Sequence, residues 1–372
     1  MRNLLYTSAL VGLTLLASCK NDEPAPANAA PYDTTQYLAA TTDERALRRR
    51  MVLMMAEARR GRNRANTLDA GRLQSLFSAG SPSVATAATP YFAGRIGGPT
   101  GWLATMATAS GQVYSFEESD TAGTGGVVNN TQYLLDRHGL EVEQLVEKGL
   151  FGALLTYRVH QLLDQPITLA TPDKVMALLG VSRTFPSSGN ATKHARPDSA
   201  LGSYLAQRDK NDGNGYYSQM RTALRRMQSA TRNGDNAAAQ TAATDVRTLL
   251  DKVTGATVIH YCYQTQSILQ GNPTPMDKGS ALHKLAEGIG FAHGYRTLPY
   301  AGRRLSDAAI DEVLALMGAP ASGNPTVYQF VTRSAQTLPR LQQAIARVQQ
   351  AYGFTDAEVQ DFKNDWVGTQ TR

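Results

Sequence analysis

The amino-acid sequence predicts an all-α fold, and three observations lead to that class. Apolar residues recur at helical spacing through most of the chain from about residue 32, and capping-box motifs precede several of these segments. The alternation of apolar and polar residues that is typical of a strand does not extend over enough residues between turns to predict one. We therefore expect a signal segment at residues 1–18, a tether at residues 19–31 and a single helical domain over residues 32–372.

The N-terminus predicts export. Arg2 precedes an apolar run over residues 4–16, which is too short to span a bilayer and is followed by the small residues Ala17 and Ser18. The string "LASC" fits a bacterial lipobox, in which Cys19 becomes the acylated N-terminus of the mature protein. An ordinary signal peptide with an incidental cysteine is the alternative. Acylation of Cys19 with two or three chains would hold the protein on a membrane.

The residues after Cys19 predict where the protein is held. The string "KNDEPAPANAAP" has the composition of a disordered tether. Its first four residues resemble the tag that some Gram-negative lipoproteins use to reach the outer face of the outer membrane. We expect an exported protein, anchored to the outer membrane through lipidated Cys19 and exposed at the cell surface. Once Cys19 is acylated, only Cys262 is left, so no intramolecular disulfide can form.

The charge of the chain narrows the class of partner. A formal charge of +6 and a pI near 9.2 are values that often accompany nucleic-acid binding. For an exported lipoprotein, anionic lipid headgroups or acidic glycans fit this charge better. We therefore expect the membrane as a partner and no nucleic acid.

The first predicted helix is amphipathic. Thr41 and Glu44 form a capping-box pattern, and Gly61 ends the helix. Its apolar face consists of Leu47, Met51, Met54, Met55 and Ala58. Its basic face consists of Arg45, Arg48, Arg49, Arg59 and Arg60. The basic face is either an outer surface exposed to solvent or a surface that binds phosphate groups.

The middle of the chain alternates between segments with helical periodicity and one long segment without it. After a short helix predicted at residues 68–77, residues 78–126 are rich in Gly, Ser, Thr, Ala and Pro, so they form either a functional loop region or a pair of weakly signalled helices. Helical signals resume at Asn130 as an N-cap, with Gly139 as a break between two helices. Later helices are predicted at residues 169–179, 198–210, 216–231, 235–269, 278–296, 306–317 and 326–352, and Thr355 with Glu358 caps a last one.

Two strings about 100 residues apart predict a duplicated unit. "VEKGLFGALLTYRVHQLL" and "LDKVTGATVIHYCYQTQSIL" each place an acidic residue and a lysine ahead of a tyrosine-bearing helix. The half-repeats would cover roughly residues 32–196 and 197–372. Small residues in these strings would let helices approach closely, and they are Gly149, Gly152, Ala153, Gly255 and Ala256.

An ordered set of strings resembles the imelysin-like bacterial lipoproteins, a family classed as a domain of unknown function. The strings are "ERALRRRMVLMMAEAR", "LDAGRLQSLF", "GLEVEQLVEKGLFGALLTY", "GVSRTFP", "YLAQRDK", "ATVIHY" and "ALHKLAEGIGFAHGYR". The resemblance extends over most of residues 32–317. It implies two pseudo-symmetric helical bundles that face each other across a cleft, and an association with iron uptake. Relatives were first suspected of being metallopeptidases.

One departure from the family's pattern affects the first half. Family members usually carry a His- and acid-rich helix before the glycine of "GVSRTFP", and here that segment is "LATPDKVMALLG". Of the expected polar cluster only Asp173 remains. The resemblance therefore implies that the first-half site is lost and that its second-half counterpart, His283 with Glu287, is kept.

Three residues are predicted as metal ligands. His283 and Glu287 lie one helical turn apart, so both could reach one metal ion, although the same spacing also makes an ordinary ion pair. His260 would supply the third ligand from the preceding helix, and a buried, hydrogen-bonded histidine is its alternative. This set would suit iron or zinc with one position open. Haem is the other cofactor considered, because tyrosines of the second half could stack on it.

The catalytic motifs sought in the chain do not occur. Neither a His-Glu-x-x-His zinc motif nor a Gly-x-Ser-x-Gly elbow is found, so no catalytic residue is predicted. We expect a non-enzymatic, lipid-anchored binding protein of the cell envelope, which captures iron, haem or another nutrient near an outer-membrane transporter. The alternatives are a metal-dependent hydrolase with a degenerate site and a structural envelope lipoprotein without catalytic activity.

Overall fold

The computed structural model describes residues 32–116, 125–183 and 198–368. The predictions for the signal segment, Cys19 and the tether lie outside these residues. The described parts contain seventeen α-helices and one two-stranded hairpin, which confirms the all-α class. The described residues belong to one compact unit. None of the helices in the described ranges combines the length and the apolar character needed to cross a bilayer.

The N-terminal helices follow the predicted apolar face. α1 (Tyr37–Ala40) leads into α2 (Thr42–Arg59), and the five apolar residues of the predicted face are all buried. The capping box predicted at Thr41 is wrong. Its hydroxyl donates to the Tyr37 carbonyl oxygen at 2.6 Å, because α1 precedes it and offers an acceptor. A 3₁₀ turn (Arg60–Arg62) extends α2.

Short helices form in the described part of residues 78–126, for which the sequence predicted either a functional loop region or a pair of weakly signalled helices. α3 (Ala70–Ser78) is followed by α4 (Val84–Ala87), α5 (Pro90–Ile96) and α6 (Trp102–Ala109). Residues 79–116 thus carry three short helices rather than a long loop. Tertiary contacts support them, since the backbone N–H of Thr89 donates to the carbonyl oxygen of Ala153 at 2.8 Å. Residues 117–124 lie outside the description.

A hairpin occupies the place where a helix was predicted to begin. β1 (Gly126–Val128) pairs antiparallel with β2 (Tyr133–Leu135), with Val127 opposite Leu134. Asn130 is therefore not an N-cap; it lies in the connecting turn with a φ of 66°. Asparagine is common in both places because its short side chain bonds nearby backbone and tolerates the left-handed conformation.

The remaining helices lie close to their predicted ranges. They are α7 (Val142–Leu150), a π-helical segment (Phe151–Thr156), α8 (Tyr157–Leu163), α9 (Thr171–Leu179), α10 (Ala200–Gln207), α11 (Tyr216–Arg232), α12 (Asn236–Ile268), α13 (Pro275–Tyr295), α14 (Asp307–Leu316), α15 (Gln329–Thr332), α16 (Ser334–Tyr352) and α17 (Asp356–Asp361). Gly139 does not separate two helices but lies in the turn before α7, with a φ of 77°. The helix predicted at 326–352 is interrupted at Arg333, and the capping box of Thr355 with Glu358 is confirmed.

The long helix α12 organises the packing of the second half. It packs against α11, α13 and α16, and α13 in turn packs against α7. The predicted role of small residues is confirmed where α13 meets α7, because the backbone of Gly149 and Gly152 lies against that of Gly294. Gly255 likewise lies against the ring of Tyr352. The division into two pseudo-symmetric bundles stays a prediction.

Candidate functional site

Three elements bring charged side chains together inside the protein. Arg59 ends α2, and Arg62 ends the 3₁₀ turn that extends it. Glu141 is the N-cap residue of α7. Within α7, Glu143 and Glu147 are four residues apart and share one face of the helix. The third element is α13, which carries the predicted metal ligands.

Acids and bases alternate through these contacts. Nε of Arg62 lies 3.2 Å from Oε1 of Glu141, and the same guanidinium pairs with Glu143. Nε of Arg59 lies 3.2 Å from Oε1 of Glu143, and its guanidinium also pairs with Glu147. Each arginine thus bridges two carboxylates of the α7 region.

The contacts with α13 join the two ends of this series of ion pairs. Nζ of Lys148 lies 2.8 Å from Glu147 and 3.5 Å from Glu287. Nε2 of His283 lies 3.6 Å from Oε2 of Glu287, and its Nδ1 lies 2.6 Å from Oε2 of Glu141. The result is a closed ring of eight side chains, which we call the ion-pair ring: Glu141, Arg62, Glu143, Arg59, Glu147, Lys148, Glu287 and His283.

Burial and charge act against each other throughout the ion-pair ring. The side chains of Glu141 and Glu143 are fully buried. Burial raises the pKa of Glu143, against the attraction of Arg62. Burial also favours neutral Glu147, but Lys148 and Arg59 outweigh it and lower the pKa of Glu147 to about 2. The pKa of Lys148 is raised, because its attraction to nearby carboxylates exceeds the effect of its burial.

Together with Lys284, the ion-pair ring has as many permanent cations as carboxyl groups. Lys284 adds a fourth permanent cation, since its ammonium donates to Oε2 of Glu287 at 2.9 Å. Four carboxylates therefore face Arg59, Arg62, Lys148 and Lys284. A carboxylate already paired with a cation is a poor general base and a poor metal ligand. The arrangement is thus best suited to fastening α2, α7 and α13 together.

The structure brings two of the three predicted metal ligands together. His283 and Glu287 are both in the ion-pair ring, whereas Nδ1 of His260 lies 2.7 Å from the carbonyl oxygen of Phe362. A carbonyl oxygen only accepts, so Nδ1 of His260 must carry the hydrogen and donate it. Burial, followed by the charge of Arg208, lowers the pKa of His260 to about 3. The alternative interpretation of His260 as a buried, hydrogen-bonded histidine fits these contacts.

The side chains around Glu287 do not fit a three-ligand metal site. In residues 32–116, 125–183 and 198–368, no group of three or more His, Cys, Asp and Glu side chains is arranged to hold a metal ion. A metal at His283 and Glu287 would have to compete with Lys284 for the same carboxylate oxygen. Metal binding by His260, His283 and Glu287 stays a prediction, and the contacts favour the ion-pair interpretation of the second and third of these residues.

Calorimetric titration distinguishes a metal site from an ion pair. Metal-free protein and its His283→Ala variant are titrated with zinc and with ferrous iron. From the competition with Lys284, we expect the same small heat from both proteins. A heat that the variant loses would instead support the metal site, and Lys284→Met should then strengthen binding because it removes the competing ammonium.

Burial also shifts the pKa of two further histidines and of Cys262. Burial lowers the pKa of His160 to about 4, and its ring stacks on Tyr300 with centroids 4.7 Å apart. Burial lowers the pKa of His293 to about 3 within a cluster of aromatic rings that includes Trp102. Burial raises the pKa of the Cys262 thiol to about 12, which makes the thiol unreactive.

A pocket beside the C-terminal helix offers a different kind of site. It has a volume of about 260 Å³, and its lining includes Arg208, Tyr216, Phe362 and Trp366. The Arg208 guanidinium is buried and donates to the carbonyl oxygen of Phe362 at 3.0 Å. Its Nε and Nη2 have no hydrogen-bond partner in the part of the chain that the structure describes, and burial lowers its pKa to about 10. Arg208 is thus a buried cation without a paired carboxylate among the described residues.

The three acidic residues of this pocket already have partners, and Asp212 accepts the backbone N–H of Asn214 at 2.9 Å. Asp361 pairs with Lys210, whose ammonium lies 4.9 Å from the centroid of the Trp366 ring. Glu358 accepts the hydroxyl of Thr355 in the capping box of α17. The pocket therefore combines one buried guanidinium with aromatic walls, a combination typical of small-molecule binding sites.

Sequence reasoning missed most of the ion-pair ring. A signal was available in "EVEQLVEKG", where Glu143, Glu147 and Lys148 interrupt a segment that is otherwise apolar enough to be buried. Of its arginine partners, Arg59 was assigned to the basic face of the first predicted helix, and Arg62 was not singled out. Arg208 was missed because a single arginine in "YLAQRDK" gives no sign of burial.

Comparisons with known proteins leave the chain without an assigned relative. No family model, no curated protein and no solved structure matches it.

Proposed function

We propose that this chain is a lipid-anchored binding protein of the bacterial cell envelope. The observation that carries the proposal is the string "LASC" after a short apolar run and before a polar tether, which gives a bilayer anchor to the helical domain that follows. The anchor would hold the protein on the outer membrane. The resemblance to imelysin-like lipoproteins supports an all-helical binding domain of two similar halves.

We place the ligand in the pocket lined by Arg208, Tyr216 and Trp366. The buried positive charge of Arg208 can attract an anionic or electron-rich group of the ligand, and the aromatic side chains can cover an apolar or flat part of it. Pockets for drug-sized molecules usually measure about 300 to 1,000 Å³, so about 260 Å³ favours a small nutrient over haem. Delivery to an outer-membrane transporter is the role that the resemblance suggests.

Two other functions compete with this proposal. A metal-dependent hydrolase with a degenerate site would need Glu287 free of its cations, and in the ion-pair ring it contacts both Lys148 and Lys284. A structural envelope lipoprotein would carry no ligand at all. The ion-pair ring supports a rigid scaffold in either a binding or a structural protein, so the content of the pocket decides between them.

Acylation of Cys19 is the first expected result. Wild-type protein purified from its native membrane should carry two or three acyl chains on residue 19 in intact-mass spectra. Cys19→Ser should abolish acylation and release the protein from the membrane fraction, because the lipobox offers no other acceptor. Unchanged membrane retention of this variant would overturn the anchor.

The same purification tests the binding function. Mass spectra under non-denaturing conditions should show a small molecule bound to the wild-type protein, and Trp366→Ala should lose it because the ring forms part of the pocket wall. A Trp102→Phe variant is a suitable control, since Trp102 lies in the aromatic cluster of His293 rather than in this pocket. An empty pocket in protein that is acylated would favour the structural alternative.

A further inference from the structure

Exposed apolar side chains are concentrated in and beside α1 and α2. Five large apolar residues are strongly exposed in the described ranges: Leu38, Val52, Leu53, Val113 and Leu169. Leu38 lies in α1, and Val52 and Leu53 lie in α2 with half of each side chain accessible. Leu169 precedes α9 and lines the same surface depression as Ala39 and Ala40 of α1. Four of the five residues thus belong to α1, α2 and the loop against them.

Arginines accompany these apolar residues on the outer stripe of α2. At 100° per residue, Arg45, Arg49, Val52, Leu53 and Ala56 fall within one narrow arc of the helix. Residues 42–56 place no acidic residue in this arc. Arg45 also reaches α1, because its Nη2 donates to the carbonyl oxygen of Leu38 at 3.0 Å. We call Leu38, Arg45, Arg49, Val52, Leu53 and Leu169 the α1–α2 surface.

The chain enters the protein beside this surface. The first described residue, Tyr32, donates from its hydroxyl to Asp173 of α9 at 2.7 Å, and α1 and α2 both pack against α9. Residues 20–31 separate Tyr32 from the proposed acylation site. Twelve residues reach at most about 40 Å when fully extended. With Cys19 acylated, Tyr32 and the adjoining α1–α2 surface would thus be held within reach of the bilayer.

We propose that the α1–α2 surface docks onto an anionic lipid bilayer. Exposed valine and leucine side chains can enter the interface between headgroups and acyl chains, while the arginines meet lipid phosphates. The proposal rests on the lipid anchor of the proposed function and adds a second, orienting contact to it. A single acylated residue would leave the helical domain free to rotate about its tether. Docking of the α1–α2 surface would fix the orientation of the domain, so that its opposite side faces away from the bilayer.

Vesicle binding by the unacylated chain tests this contact separately from the anchor. The Cys19→Ser protein is sedimented with vesicles of phosphatidylethanolamine and phosphatidylglycerol in equal parts, and with vesicles of phosphatidylcholine alone. We expect binding to the anionic vesicles, weakened by salt, and little binding to phosphatidylcholine. The double substitution Val52→Ser and Leu53→Ser should weaken binding about tenfold, and Arg49→Gln about fivefold.

Matched controls separate the surface from general charge and hydrophobicity. Val113→Ser removes an equally exposed apolar side chain elsewhere, and Arg304→Gln removes an exposed arginine elsewhere; neither should change binding by more than about twofold. Absence of binding to anionic vesicles would overturn the docking surface, as would equal losses from the surface variants and their controls. Because no acyl chain is present, either result would leave the anchor at Cys19 untouched. Loss of acylation in the native protein would instead overturn the anchor.

Discussion

Replacing Lys148 with methionine is expected to lower the free energy of unfolding by about 3 to 5 kcal/mol. The Lys148 side chain is 11% exposed and stands between Glu147 and Glu287 in the ion-pair ring. Its removal leaves the buried Glu287 carboxylate with Lys284 as its main cation, and that lysine is one-third exposed. Methionine is close to lysine in length, so the loss is mainly one of charge, and it includes the cation–π contact of the Lys148 ammonium, 5.4 Å from the centroid of the Phe151 ring.

Urea unfolding followed by circular dichroism at neutral pH measures this change. An exposed ion pair provides the matched control: Arg226 and Asp245 are 3.0 Å apart with both side chains over 40% exposed, so Arg226→Met should cost at most about 1 kcal/mol. The double variant of Lys148→Met with Glu287→Gln should regain part of the loss, because it no longer buries a carboxylate that has lost its buried cation. If Lys148→Met cost no more than Arg226→Met, the ion-pair ring would not be a buried network.

The sequence predicts those parts of the fold whose signals are local. The buried face of α2 follows directly from helical spacing, because each apolar residue has only to point the same way as the next. The capping box at Thr355 is equally local, since donor and acceptor lie three residues apart. Asn130 shows the limit of local signals. Its conformation depends on the pairing of β1 with β2, and an N-cap and a hairpin turn look alike in the sequence.

The candidate site could be predicted only in part for the same reason. The pair His283 and Glu287 is visible as a one-turn spacing on a helix. Arg59 lies 88 residues before Glu147, and Arg62 lies 81 residues before Glu143. Charge pairing over such separations is set by how the helices pack, which periodicity does not encode. Two arginines of the predicted basic face are therefore held inside the fold: Arg59 pairs with Glu143 and Glu147, and Arg48 donates to the carbonyl oxygen of Ala177.

The close crossing of α7 and α13 determines whether the ion-pair ring can form. An added Cβ at Gly294 would lie 2.0 Å from the carbonyl oxygen of Gly149, and one at Gly290 would lie 2.9 Å from that of Leu145. The two helices therefore touch through their backbones. Glu287 lies two turns before Gly294 on the same face of α13, so the separation of the helices also sets the distance from Glu287 to Lys148.

Gly294→Ala should therefore lower the free energy of unfolding by about 3 kcal/mol, near the upper end for overpacking, because rigid backbone atoms cannot make room for the methyl group. Gly94→Ala is the matched control. Gly94 is exposed within α5 and an added Cβ there meets nothing within 4 Å, so the change should stabilise the protein by about 0.5 to 1 kcal/mol through helix propensity. Urea unfolding of both variants gives the comparison, and equal effects of the two substitutions would show that α7 and α13 are not in backbone contact.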